Sequence, residues 1–213
     1  EEQTTDTCKP CGTGKYSSAQ GAVAESQCNN CSPGKYGTLA VPATAEACIA
    51  CAVGKANPDS GQSLPAKCAN CVAGRHTEGT SSATCTACAA GKYGNAAAQT
   101  AKSSCIDCGA GNYNSAAGAS EAKQCTECPV GKYGTFAVPA TADACIACAV
   151  GKANPQSGQS ATGACVNCVA GRHQATTGQA TCTACVAGKY GDAEEQTTNT
   201  CKPCGKGKYS SAQ

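Results

Sequence analysis

The sequence predicts a small disulfide-rich repeat protein: an elongated stack of short β-hairpin units held by a disulfide ladder, with little hydrophobic core. Three observations predict it. Of 213 residues, 22 are cysteine, about a tenth, the level of a disulfide scaffold. The large apolar side chains are scarce, with 10 Val, 3 Ile, 2 Leu and 1 Phe and neither Met nor Trp, so burial of apolar surface cannot carry the fold. The cysteines also recur at a fixed period, the signature of a repeat architecture.

All 22 cysteines fall into 11 Cys-x-x-Cys pairs, opening at Cys8, Cys28, Cys48, Cys68, Cys85, Cys105, Cys125, Cys145, Cys165, Cys182 and Cys201. The steps between them are 20, 20, 20, 17, 20, 20, 20, 20, 17 and 19 residues. A longer period overlies the short one. Gly34 to Ser63 returns as Gly131 to Ser160 with 27 of 30 residues identical, an offset of 97 that spans five units. Glu1 to Gln20 returns as Glu194 to Gln213 with only Asp6/Asn199 and Thr13/Lys206 changed. The organisation predicted is one continuous tandem array over residues 1–213, eleven units of about 20 residues, excerpted from a longer array and carrying a 97-residue super-repeat (about 8–104 and 105–200).

Each unit has the same internal order. Three residues after the second Cys comes a Gly, from Gly14 to Gly207, which predicts a turn needing positive φ or a close backbone approach. The next residue is Lys or Arg in ten of eleven units, Asn112 being the exception. The one after that holds all seven Tyr, both His (His76 and His173) and two Ala (Ala56 and Ala153). An aromatic at that offset in a core-poor chain predicts a lid over a neighbouring cystine. The basic residue reads as solvation of the turn, its stem lying along the ring; the sharper reading is a stripe that meets acidic glycans or acidic segments of a neighbouring filament.

The Cys-x2-Cys-x16-Cys-x2-Cys spacing falls in the range of zinc sites, and repeated Cys-x-x-Cys also raises a redox motif. Phase favours disulfides. Four-thiolate sites use pairs two at a time, yet the 97-residue repeat holds five, so near-identical segments would swap roles between copies. Joining the second Cys of each pair to the first of the next treats every unit alike. The expected bonds are Cys11–Cys28, Cys31–Cys48, Cys51–Cys68, Cys71–Cys85, Cys88–Cys105, Cys108–Cys125, Cys128–Cys145, Cys148–Cys165, Cys168–Cys182 and Cys185–Cys201. Cys8 and Cys204 then belong with neighbouring units of a longer array. Connectivity itself is not fixed by sequence. Loops of this size are worth about 3 kcal/mol each in the chain-entropy model, comparable in sum to the missing core.

Between the cysteines neither a 3.6 nor a 2.0 period emerges. Cinched loops leave room for hairpins or one short turn of helix, so short strands around Gly-Lys-Tyr are expected, each unit touching only its neighbours. A closed β-solenoid would want inward Val, Ile or Leu, which are lacking.

The stretches "CNNCSPGKYGT" and "CTECPVGKYGTFAVPATADACIAC" resemble the Cys-x-x-Cys-x-x-Gly-x-Tyr repeats of ephrin-receptor-like and tumour-necrosis-factor-receptor-like cysteine-rich proteins. The uniform period and near-identical copies are similar in style to ciliate surface immobilisation antigens. The resemblance implies an extracellular, cell-surface location and units stacked by sequential disulfides.

The functional expectation is an extracellular structural protein forming a filament, appendage or surface coat by self-association. The alternative is a receptor, adhesin or lipid-anchored surface-antigen ectodomain that binds a ligand. Leu39 and Phe136, apolar residues with no core to join, are the expected assembly or ligand contacts. A net charge of +2 argues against nucleic acid as a partner, and there is no apolar run long enough to span a membrane. The histidines replace Tyr at equivalent positions and the carboxylates show no paired logic, so no catalytic residues, cofactor or metal are expected. Ser- and Thr-rich runs such as "ATTGQAT" are expected O-glycan sites, while the one sequon, Asn30-Cys31-Ser32, has a Cys expected to be bridged at its centre.

Overall fold

The structure is a computed structural model and describes residues 8–198 and 200–210. Its regular element is a two-strand antiparallel hairpin, and ten such hairpins are present among the described residues. The first strand is the pair of residues after the recurrent Gly; the second is the pair between the cysteines of the next unit. Lys15–Tyr16 pairs with Asn29–Asn30 in this way, Lys35–Tyr36 with Ile49–Ala50, and Lys132–Tyr133 with Ile146–Ala147. The strands expected around Gly-Lys-Tyr are therefore present.

A tight turn starts each hairpin. Lys35 N–H donates to the Ser32 carbonyl at 3.1 Å, enclosing Pro33 and Gly34, and Gly34 has φ +80°. That is a type II turn, with Pro at the second position and Gly supplying the left-handed third. The Gly34 carbonyl then accepts from the Cys51 N–H at 2.8 Å, closing the hairpin just beside the cysteines.

The ladder follows from the extended backbone. In an extended Cys-x-x-Cys the side chains at i and i+3 leave on opposite faces, so one cysteine reaches back and the other forward. Ten sequential disulfides join each second Cys to the first Cys of the next pair, with Cα–Cα distances from 5.5 Å (Cys51–Cys68) to 5.8 Å (Cys185–Cys201). Where the loop is long enough, a single 3₁₀ turn precedes the first Cys, as at Ala45–Ala47 and Ala142–Ala144. The short loops before Cys85 and Cys182 lack it.

The expectation that each unit touches only its neighbours is corrected. A Cβ on Gly14, in the first unit, would run into the backbone carbonyl of Gly61 in the third; one on Gly131 would run into that of Gly178, two units on. Backbone hydrogen bonds tie adjacent units as well, including Gly61 N–H to Cys31 O at 2.8 Å and Gly158 N–H to Cys128 O at 2.9 Å. The Gly is thus demanded twice, by positive φ and by the absence of room for a side chain.

The chain divides into two compact units, Glu1–Cys88 with Gly94–Cys105, and Ala89–Tyr93 with Ile106–Gln213. The bonds from Cys11–Cys28 to Cys88–Cys105 lie in the first, and those from Cys108–Cys125 to Cys185–Cys201 in the second. In both, the interior is cystine and small or polar residues: Ala56, Asn57, His76 and Thr77 in the first, Asn114, Ala119, Ala153 and Asn154 in the second.

Candidate functional site

The cysteines come first, because they could have carried metal or redox chemistry. In ten of the eleven pairs the residues between the two cysteines form a strand, which holds the two side chains apart rather than side by side as at a helix start. Every sulfur named in the expected ladder is in its disulfide. Cys204, which is half-buried, stands outside it.

Two rungs differ from the others. His76 sits in the strand Arg75–His76, paired with Thr86, and bridges to Gln99 on its other side. Its Nδ1 lies 3.8 Å from Sγ of Cys105. One super-repeat later, His173 Nδ1 lies 4.0 Å from Sγ of Cys201. Both rings are buried, so the aromatic lid expected over a cystine is realised by the histidines. His76, Cys88 and Cys105 offer three metal-ligating atoms within 4.8 Å of one another. Both sulfurs belong to the Cys88–Cys105 bond, however, and the thiolates a soft cation needs are absent in this state.

The recurrent basic residues lie on the surface and several are paired. Lys15 Nζ meets Glu25 at 2.7 Å, Lys152 meets Glu195 at 3.2 Å, and Lys92 meets its cross-strand partner Asp107. Arg75 and Arg172 donate to the carbonyls of Cys85 and Cys182 at 2.9 and 3.1 Å. These contacts fasten turns and loops. The Lys15 ammonium, by hydrogen bond and charge, holds the exposed Glu25 carboxyl below its ordinary range. Lys202 does the same to Asp192, again chiefly through a hydrogen bond.

The apolar side chains are on the outside. All 10 Val, 3 Ile, 2 Leu and the single Phe are at least 36 % exposed. Leu39 and Phe136, the residues singled out by sequence, are each more than half exposed and occupy equivalent places in two super-repeats. They do not stand alone. Val53, Val130 and Val150 occupy the outer corner of three of the type II turns, and Ile49, Ile106, Ile146 and Val166 the outer face of the paired strands. Sequence reasoning missed this wider set because it took the scarcity of apolar residues as the whole signal. Their recurrence beside Gly and between cysteines was the sign that they share one kind of place.

Asn57 and Asn154 were also missed. Each is 1 % exposed and bonded on both sides of its amide. The repeated "GKANP" was the signal available.

These features define a class: a disulfide-rich protein built as a stack of β-hairpin units, the pattern of extracellular proteins, in which oxidising surroundings let cystines replace a core. The chain matches no family model and no curated protein. Among the described residues no helix is long and apolar enough to cross a membrane.

Proposed function

We propose that this chain is a non-enzymatic, extracellular structural protein whose copies associate through their exposed apolar turns into a filament, appendage or surface coat. The observation that carries the reading is the outward placement of every Val, Ile, Leu and Phe. Contiguous exposed apolar surface on a soluble protein generally marks an interaction site. Here the turn recurs every 17 to 20 residues and carries Val at its corner in three of eleven units, so a second copy, having the same period, meets those turns in register. A partner of another period meets few. Interspersed basic and acidic residues, 16 and 14 in all, leave no large like-charge barrier to self-association.

The experiment is sedimentation velocity on the unreduced chain across a concentration series. Growth in particle size with concentration is expected. A variant carrying Val53→Thr, Val130→Thr and Val150→Thr should remain small, and Thr13 already fills that turn position in the first unit. A single species at every concentration would remove the proposal. Decoration by O-linked glycans on exposed residues such as Thr176 and Thr177 belongs to the same reading and is checked by intact mass.

A second reading is a surface antigen or adhesin ectodomain, of the kind the ephrin-receptor-like and immobilisation-antigen resemblance implied. One observation favours it. The three differences between Gly34–Ser63 and Gly131–Ser160, namely Leu39/Phe136, Glu46/Asp143 and Asp59/Gln156, all fall on exposed positions. Such a protein would stay monomeric in the same experiment and hold its ligand through those loops.

A further inference from the structure

The two histidines have no role in the structural reading, yet both are buried against a disulfide. A cystine sulfur carries no proton, so a hydrogen bond at either contact requires the imidazole to donate, with its hydrogen on Nδ1. In the other nine units the same position holds Tyr or Ala, so an imidazole at this position occurs once per super-repeat and nowhere else among these positions.

We infer that Cys88–Cys105 and Cys185–Cys201 are the two thiol–disulfide exchange sites of the ladder, open to dithiol reductants, and that His76 and His173 are the groups that activate them. Exchange is faster when the departing sulfur is better stabilised as a thiolate. The chemistry at the first rung is as follows. A thiolate of the dithiol attacks Cys88 Sγ and the Cys88–Cys105 bond breaks. Cys105 departs with the electron pair as a thiolate, stabilised by a hydrogen bond from the Nδ1–H of His76. The second thiol of the reductant then attacks the mixed disulfide, releasing Cys88, and the reductant leaves as its own cyclic disulfide. Cys88 and Cys105 each take a proton from solvent, where those of the dithiol went, and His76 keeps its own. Two electrons pass from the dithiol to the cystine.

Burial alone predicts a different order, and the ladder contains its own controls. Cys88 and Cys105 are 0 % and 6 % exposed; Cys148 and Cys165, a rung without histidine, are 0 % and 8 % exposed. Cys108–Cys125, also without histidine, is half-buried at both ends, whereas in Cys185–Cys201 only Cys201 is half-buried and Cys185 is buried. If exposure set the rate, Cys108–Cys125 would open before Cys185–Cys201, and Cys88–Cys105 would match Cys148–Cys165.

The test is limited reduction of the intact chain with dithiothreitol at neutral pH, with timed alkylation and peptide mapping. Cys88–Cys105 is expected to open at least about tenfold faster than Cys148–Cys165, the scale of one hydrogen bond to a charged group, and Cys185–Cys201 ahead of Cys108–Cys125. His76→Tyr, the side chain most units carry there, should slow Cys88–Cys105 to the rate of Cys148–Cys165 and leave Cys185–Cys201 unchanged. His76→Ala, matching Ala56 and Ala153, should do the same, and unchanged rates at the other rungs show that the fold is kept. An order that follows exposure, or rates indifferent to both substitutions, overturns the inference.

Discussion

The Asn57 side-chain amide donates to the backbone carbonyl of Lys35, one unit back, at 3.1 Å, and its Oδ1 accepts from the Asp59 N–H at 3.1 Å. Asn154 repeats the arrangement with Lys132 at 2.9 Å and Gln156 at 3.1 Å. A polar side chain thus does between units what an apolar one does in most repeat proteins. It can lie inside because both ends of its amide are satisfied.

Asn57→Asp keeps the shape and the acceptor but loses the donor to Lys35. The substitution is expected to cost about 1–3 kcal/mol, the range for stranding a buried polar group. Thermal unfolding of the unreduced protein checks it. Asn57→Ser, smaller but able to cap the following turn, should cost less.

Glycine positions separate into two kinds. Gly131 has φ +77° and faces the Gly178 backbone; Gly188 has φ +82° and nothing within 4 Å. Gly188→Ala should cost only the backbone term, about 1 kcal/mol, whereas Gly131→Ala adds a steric clash and should cost several times more. Denaturant midpoints of the two variants, measured side by side, decide the matter. Equal midpoints would mean that the second-neighbour contact is not tight.

The rung Cys128–Cys145 closes a loop with a sequence separation of 17. Replacing both cysteines with Ser is expected to cost about 3 kcal/mol. The loss should stay local, because each remaining rung closes its own loop. Hydrogen exchange should therefore rise at residues 129–147 and change little in the first compact unit. Uniform loss of protection would show a globally cooperative fold instead.

Glu25 is the carboxylate to follow for pH. Its folded value is depressed by Lys15, so the pair's contribution is present above the ordinary carboxylate value and is lost as pH falls through the folded value. Both partners are solvated, so screening leaves the effect on stability small. An NMR titration of the Glu25 carboxyl should return to the ordinary range in Lys15→Gln. The melting temperature of the unreduced chain should shift little in mild acid.

The disulfide ladder and its hairpins were legible because they rest on phase and on local chemistry: five cysteine pairs per super-repeat, and a Gly at one offset. The contact of Gly14 with Gly61 was not, because a period states that units recur and does not state how far the backbone returns toward itself. Asn57 and Asn154 were hidden by polarity, which signals surface until the bonding partners are seen. The outward set of apolar residues was half legible. Leu39 and Phe136 stood out as residues without a core, while the turn valines were counted only as too few.

Electron microscopy of the native, unreduced material tests the central claim most directly. Long filaments or sheets with an axial spacing set by a whole number of units are the predicted result. Separate, monodisperse particles at every concentration, with no lateral or end-to-end order, would contradict the structural role.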